Sequence, residues 1–138
     1  MADALSFELV SPERLLLSRE VEMVVLPGAE GDIGVLPSHA PMITKVRPGI
    51  LVVFENGQPT ERIFVAGGIA EVTGERCTVL ADEAMPLDTL DRTAAETQIS
   101  DARDDLADAK TDIERDRAES QIAVGEAKLA AIAAGSPY

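Results

Sequence analysis

The stretch from Leu26 to Gly49, LPGAEGDIGVLPSHAPMITKVRPG, constrains this chain more than any other part of it. It holds four of the ten glycines, four of the eight prolines and the single histidine. Proline presets φ and removes a backbone donor, and glycine opens conformations closed to other residues. The segment must therefore be a series of tight turns joined by very short strands. A phosphate cradle does not fit it. Gly28-Ala29-Glu30-Gly31-Asp32-Ile33-Gly34 lacks the Lys-Ser/Thr pair of a Walker loop and the glycine spacing of a dinucleotide fingerprint, and its two carboxylates would repel the ligand. His39 has no nucleophile or metal partner at motif spacing, so it reads as a packed or interface histidine.

The flanking sequence continues the pattern of short strands. Ser6 to Val10 alternates, Ser11-Pro12 turns, and Arg14 to Ser18 and Glu20 to Leu26 read as two strand-like runs. Ile33 to Leu36 and Met42 to Val46 are brief strands between the Gly/Pro turns. Ile50 to Glu55 and Glu61 to Ala66 flank Asn56-Gly57, a strong hairpin signal. Gly67-Gly68 marks a close backbone approach or bulge before Ile69 to Thr73. Gly74-Glu75 turns again, and Cys77 to Ala81 closes the set. Strands at roughly ten-residue intervals, separated by turn signals, predict a β-sandwich or barrel.

After Met85-Pro86 the composition changes. Leu87, Leu90, Ala94, Ile99, Ala102, Leu106, Ala109 and Ile113 recur mostly at three- and four-residue intervals, and no Gly or Pro intervenes until Gly125. Ile122, Leu129 and Ile132 with many alanines carry a second pattern to Ala134. Thr111-Asp112-Ile113-Glu114 fits a capping box, which starts a second helix near Asp112. A narrow Leu/Ala stripe cannot hold a long lone helix in water, so the two helices are expected to form an antiparallel hairpin. The organisation predicted is a β domain over residues 1–86 and a helical hairpin over residues 87–138. Asp101, Asp104, Asp105 and Asp108 have helical spacing, unlike the alternating ligands and central glycine of a calcium loop, and read as a solvated face.

Charge narrows the partners. Thirteen acids against six bases through residue 87 leave −7, and twelve against six from 88 onward leave −6. Both halves would repel nucleic acid and anionic membrane surfaces. Cys77 is alone, which rules out an internal disulfide or a cysteine zinc site. Met1-Ala2-Asp3-Ala4 shows no basic region followed by an apolar run, and no stretch approaches transmembrane length. A soluble protein made in a reducing compartment is expected. No paired carboxylate, triad or metal cluster can be assembled, so no catalytic residue, metal or cofactor is predicted.

The spacing of Gly28, Gly31 and Gly34, followed by Leu36-Pro37-Ser38-His39-Ala40-Pro41 and Pro48-Gly49, resembles the signature of the epsilon subunit of F-type ATP synthases, a family that includes the mitochondrial delta subunit. Val10-Ser11-Pro12, Phe64-Val65-Ala66-Gly67-Gly68-Ile69-Ala70-Glu71-Val72 and Thr78-Val79-Leu80-Ala81-Asp82 extend the resemblance over the whole chain. It implies a sandwich of about ten strands followed by a helix pair. It also implies a non-catalytic subunit of the rotating central stalk, peripheral on the cytoplasmic face of the bacterial inner membrane and held there only through the complex. By the same resemblance, Glu30, Gly31 and Asp32 meet the polar loops of the c-ring, while His39, Ala40 and Pro41 face the gamma subunit. The helix pair of the family reaches toward the catalytic alpha and beta subunits and restrains ATP hydrolysis. Residues 112 to 138 here carry five acids against three bases, which implies a weak or absent restraint. Apart from the resemblance, an acidic adaptor that takes a peptide along a strand edge fits the same composition.

Some members of the family bind ATP through Ile/Leu-Asp-x-x-Arg-Ala at the junction of the two domains. Here the match is Leu90-Asp91-Arg92-Thr93-Ala94-Ala95, in which Ala94 takes the arginine position and Arg92 stands two residues early. On a helix that offset turns the guanidinium by roughly 200°. A missing charge-assisted contact weakens binding by about ten- to a hundredfold. Titration with ATP, followed by calorimetry or by amide shifts around Asp91, should therefore show millimolar binding or none; a saturable micromolar site would overturn this.

Overall fold

The computed structural model describes residues 4–138, so the reading of Met1-Ala2-Asp3 lies outside the described residues. Ten strands come first: β1 (Leu5–Val10), β2 (Leu15–Val21), β3 (Met23–Gly28), β4 (Gly31–Val35), β5 (His39–Val46), β6 (Gly49–Glu55), β7 (Gln58–Val65), β8 (Gly68–Gly74), β9 (Arg76–Ala81) and β10 (Ala84–Pro86). A 3-10 turn at Leu87–Thr89 then leads to α1 (Arg92–Asp108) and α2 (Asp112–Ala134). The expected sandwich followed by a helical hairpin is what the chain forms.

The strands form one curled sheet in the order β10-β7-β6-β3-β5-β8-β9-β1-β2, with β4 added beside β3. Between β3 and β5 the ladder crosses at one pair, Gly28 opposite Val46, so the sheet folds there into two layers. One layer holds β10, β7, β6, β3 and β4, and the other holds β5, β8, β9, β1 and β2. All neighbours run antiparallel except β1 and β9, which pair in parallel from Ser6 opposite Arg76 to Val10 opposite Leu80. The inner faces meet in a core that includes Leu5, Phe7, Leu9, Val24, Leu26, Val53, Val65, Val72 and Val79. Cys77 lies in that core, where burial pushes its thiol up to about 12. It acts as a small apolar residue.

Four details differ from expectation. The break between β2 and β3 falls at Glu22 and not at Arg19, without Gly or Pro: the Glu22 amide bonds the Phe54 carbonyl at 3.0 Å, and its carboxylate accepts from the Gly57 amide at 3.1 Å. Long-range bonds of this kind leave no local signal. Strand β10 follows β9, which had read as the last, and pairs Met85 with Phe64 of β7. Leu87 and Leu90 belong to the 3-10 turn and its exit, not to α1. In α1 it is Ala95, not Ala94, that is buried with Ile99 and Ala102. Alternative alanine stripes look alike by composition, and tertiary contact selects between them.

The helix ends follow their sequence signals. Asp91 caps α1 by accepting from the Ala94 amide at 3.0 Å. Thr111 and Glu114 close a capping box at α2. Hydrogen bonding from the Lys110 backbone amide, helped by Thr111, holds the Glu114 carboxyl below its ordinary pKa. Gly135 ends α2 at φ 71°, a left-handed conformation that suits glycine. The helices approach closely at Gly125, where an added Cβ would lie 2.5 Å from Cγ1 of Ile99. Contact with the sheet is made chiefly by α2: Val124 and Ala131 pack on Phe64, with Ile50, Ala66, Met85, Leu87 and Leu90 around them. The outer face of the β6–β7 layer is thus roofed by the hairpin.

Close approaches at two glycines give a paired prediction. In the sandwich, a Cβ on Gly68 would sit 2.1 Å from the Leu80 carbonyl, at φ 139°. Gly68→Ala should cost about 2 kcal/mol or more and lower the melting point of the whole sandwich. Gly125→Val should loosen only the hairpin, with fast amide exchange in α1 and α2 and unchanged exchange in the strands; a uniform loss would show that the two parts do not separate energetically.

Candidate functional site

Two surfaces combine exposure with unusual chemistry, and the Gly/Pro segment builds parts of both. The first is the turn between β3 and β4. Gly28 pairs with Gly31 across Ala29-Glu30, and Asp32 pairs with Pro27. Gly31 has φ 144°, and Gly28 leaves no room for a side chain, since a Cβ would meet the Gly31 carbonyl at 2.6 Å. Glu30, Gly31 and Asp32 are all exposed. Arg47 locks the turn from the far side of the sequence: one terminal nitrogen donates to the Gly28 carbonyl at 2.6 Å and the other to Asp32 Oδ1 at 2.7 Å. The Ala29 amide bonds the Lys45 carbonyl at 3.0 Å, and the Arg47 amide bonds the Pro27 carbonyl at 2.8 Å. The turn therefore offers two carboxylates of which one already faces a guanidinium, so its field is that of about one net negative charge.

The second surface is the outer face of β5, β8, β9, β1 and β2. Cross-strand register sets Lys45, Ile69, Leu80, Val10 and Leu15 in one row, and Ile43 stands in the next row opposite Glu71. Ile43 is 73% exposed, Leu15 54%, Leu80 53% and Ile69 49%. Alternation explains why Ile69 and Leu80 point outward: their neighbours Ala70, Val79 and Ala81 fill the core. No element among the described residues roofs this layer, in contrast to the layer beneath α2.

His39, Ala40 and Pro41 begin β5, at the margin of this second surface. The Leu36-Pro37-Ser38-His39 turn closes with the His39 amide on the Leu36 carbonyl at 3.1 Å, and Ser38 takes φ 69°. His39 opposes Gly74, and the register slips before Met42, so a bulge occupies Ala40-Pro41. The imidazole Nδ1 donates to the Ala40 carbonyl at 2.7 Å, a local bond that orients the ring and leaves no catalytic partner beside it. The structure does not bring the two predicted groups together. His39 and Val46 bound β5, and Val46 sits against Gly28, so the histidine lies about 20 Å along the strand from the acidic turn.

The remaining predicted pair has a structural use. Asp91 spends its carboxylate on the cap of α1, and Arg92 opens that helix on an exposed position. Sequence reasoning missed Arg47 and the outward Ile69 and Leu80. A register argument could have found the last two, because they alternate with the core residues of β8 and β9; Arg47 had no signal at its fifteen-residue distance from Asp32.

A two-layer β-sandwich with a helical hairpin on one face and a bare apolar row on the other defines a class of small sandwich-and-hairpin proteins. Within that class the protein belongs to the delta/epsilon family of ATP synthase subunits. The family model for the β-sandwich domain of the ATP synthase delta/epsilon chain matches residues 4–87, and that for the C-terminal domain of the ATP synthase epsilon chain matches residues 91–137. The ATP synthase epsilon chain of Rhodospirillum centenum is 59% identical over 138 residues, covering 96% of this sequence and 94% of its own. That of Rhodospirillum rubrum is 51% identical over 131 residues, covering 95% and 98%. Among solved structures, a subunit of the Euglena gracilis mitochondrial ATP synthase superposes with a TM-score of 0.76 at 23% identity, over 96% of this protein and 83% of that one. A subunit of the Tetrahymena thermophila central stalk and c-ring gives 0.70 at 12% identity, over 94% and 97%.

Removing the Arg47 clamp should disorder the turn alone. Arg47→Ala is expected to raise amide exchange at residues 28–32 several-fold while shifting the melting point by less than about 3 °C, because the lost bonds are largely at the surface. Unchanged exchange at the turn would show that the glycines hold it without the arginine.

Proposed function

We propose that this protein, a rotor-stalk subunit of an F-type ATP synthase, is a non-catalytic clamp that docks its bare apolar face on the gamma subunit and presents the Glu30–Asp32 turn to the polar loops of the c-ring. The observation that carries the reading is the asymmetry of the sandwich. One outer face is covered by α2, and the other leaves Ile43, Ile69, Leu80 and Leu15 in water. A contiguous apolar row on a small acidic protein marks an interface. The gamma subunit is the occupant that family membership supports, with His39, Ala40 and Pro41 at its margin.

Rigid docking suits torque. Strands joined by proline- and glycine-set turns lose little further entropy on binding. The acidic turn, fixed by Arg47, complements basic loops and would supply register more than affinity. No described helix is long and apolar enough to cross a membrane, and membrane association runs through the complex, on the cytoplasmic face of the bacterial inner membrane. The helices offer little toward the catalytic alpha and beta subunits, because the net charge of −2 over residues 112 to 138 loses complementarity to acidic loops.

Charge placed in the apolar row separates this reading from an adaptor that binds through a strand edge. Ile69→Asp with Leu80→Asp should leave the core intact and weaken binding to a gamma-containing stalk by about thirtyfold or more. Unchanged affinity with a normal fold would sink the proposal and favour the strand edge.

A further inference from the structure

The last four residues do something the helices do not explain. Gly135 turns the backbone out of α2, and Tyr138 returns to the sandwich on the opposite layer from the bare face. Its ring meets Phe54 of β6 edge-on, with centroids 6.0 Å apart. Its carbonyl accepts from Nε and a terminal nitrogen of Arg62 on β7, at 3.4 and 3.3 Å. Its hydroxyl donates to Asp32 Oδ2 at 3.4 Å, on the carboxylate whose other oxygen Arg47 holds. One residue thereby joins the end of α2 to the acidic turn, across 106 residues of sequence.

We propose that residues 135–138 are a latch, in which Tyr138 fastens the hairpin to the sandwich and is released when a cationic loop takes Asp32. The rest of the hairpin's attachment is thin enough for a latch to matter. Among the described residues, Phe64, Val124 and Ala131 are the buried centre of the joint, with half-buried Ile50, Ala66, Met85, Leu87, Leu90 and Ala127 around them, against seventeen buried residues in the sandwich core. Lys128 adds an ion pair to Glu83 at 3.3 Å, which anchors the middle of the joint and not its end; its bond to Gln98 lies within the hairpin. A lysine or arginine brought against Asp32 Oδ2 would take the side from which the tyrosine hydroxyl approaches at 3.4 Å, and this overlap, not a shortage of lone pairs, sets the two in competition. Binding at the turn and fastening of the tail must therefore oppose each other by the same factor in both directions. The release half rests on the c-ring reading of the turn, and the latch half does not.

The latch is tested on the full-length protein in isolation by amide hydrogen exchange. Tyr138→Ala should speed exchange in the last turns of α2 by about tenfold, with the strands unchanged, since it removes an aromatic pair and a hydrogen bond. Tyr138→Phe should give about two- to fivefold, since it removes the hydroxyl and keeps the ring against Phe54. Unchanged exchange in Tyr138→Ala overturns the latch. The coupling is tested by docking onto a stalk and c-ring assembly, where Tyr138→Phe should bind a few-fold tighter and Asp32→Asn more weakly. Weaker binding of Asp32→Asn with no gain from Tyr138→Phe overturns the coupling. If Asp32→Asn binds normally, the c-ring reading of the turn falls and the exchange result on the latch stands.

Discussion

Two five-stranded layers of this sandwich share a single ladder crossing, Gly28 opposite Val46, flanked by the backbone bonds from Ala29 to Lys45 and from Arg47 to Pro27. The β3–β4 turn and its arginine contact are arranged about that corner. The bend requires a residue without a side chain at Gly28, because the Gly31 carbonyl and the Ile33 side chain already fill the space. The same bend throws the β3–β4 turn outward as a rigid projection. It also places Arg47, the residue after Val46, where its guanidinium can reach back to Asp32. The corner thus needs glycine for steric reasons and arginine for electrostatic ones.

Much of this was legible in the sequence. Period-two alternation located β1, β8 and β9 of the second layer because each has one face in the core and one turned outward, as in Leu5, Phe7 and Leu9 against Ser6 and Glu8. The capping box at Thr111 and Glu114 was readable because its partners are three residues apart. Features whose partners are distant were not. The end of β2 depends on Phe54 and Gly57, the turn clamp on Arg47, and the burial of Ala95 over Ala94 on which side of α1 faces Gly125. The bare apolar row lay between these cases: Ile69, Leu80 and Val10 alternate locally, but only the register of β8 on β9 and of β9 on β1 shows that they stand side by side.

The two halves of the molecule also hold themselves together by different physics. The sandwich rests on large aliphatic residues buried from both layers, so its strands should open only in global unfolding. The hairpin rests mostly on alanines and one glycine, with Ile99 and Val124 as its larger buried residues, and this close approach gives shape at small burial per residue. Such a joint is easily undone and easily remade, and small contacts at its edges then weigh heavily in its balance.

The parallel pairing of β1 with β9 has a consequence for the birth of the protein. Residues 6–10 wait for residues 76–80 before the second layer can close, so nearly the whole β region must leave the ribosome first. Val10 and Leu15 join Ile69 and Leu80 in one row only at that moment. An unfinished or misfolded copy has no continuous row to offer. The outward apolar row of this layer is thus complete only once the two ends of the β region, 70 residues apart, have met.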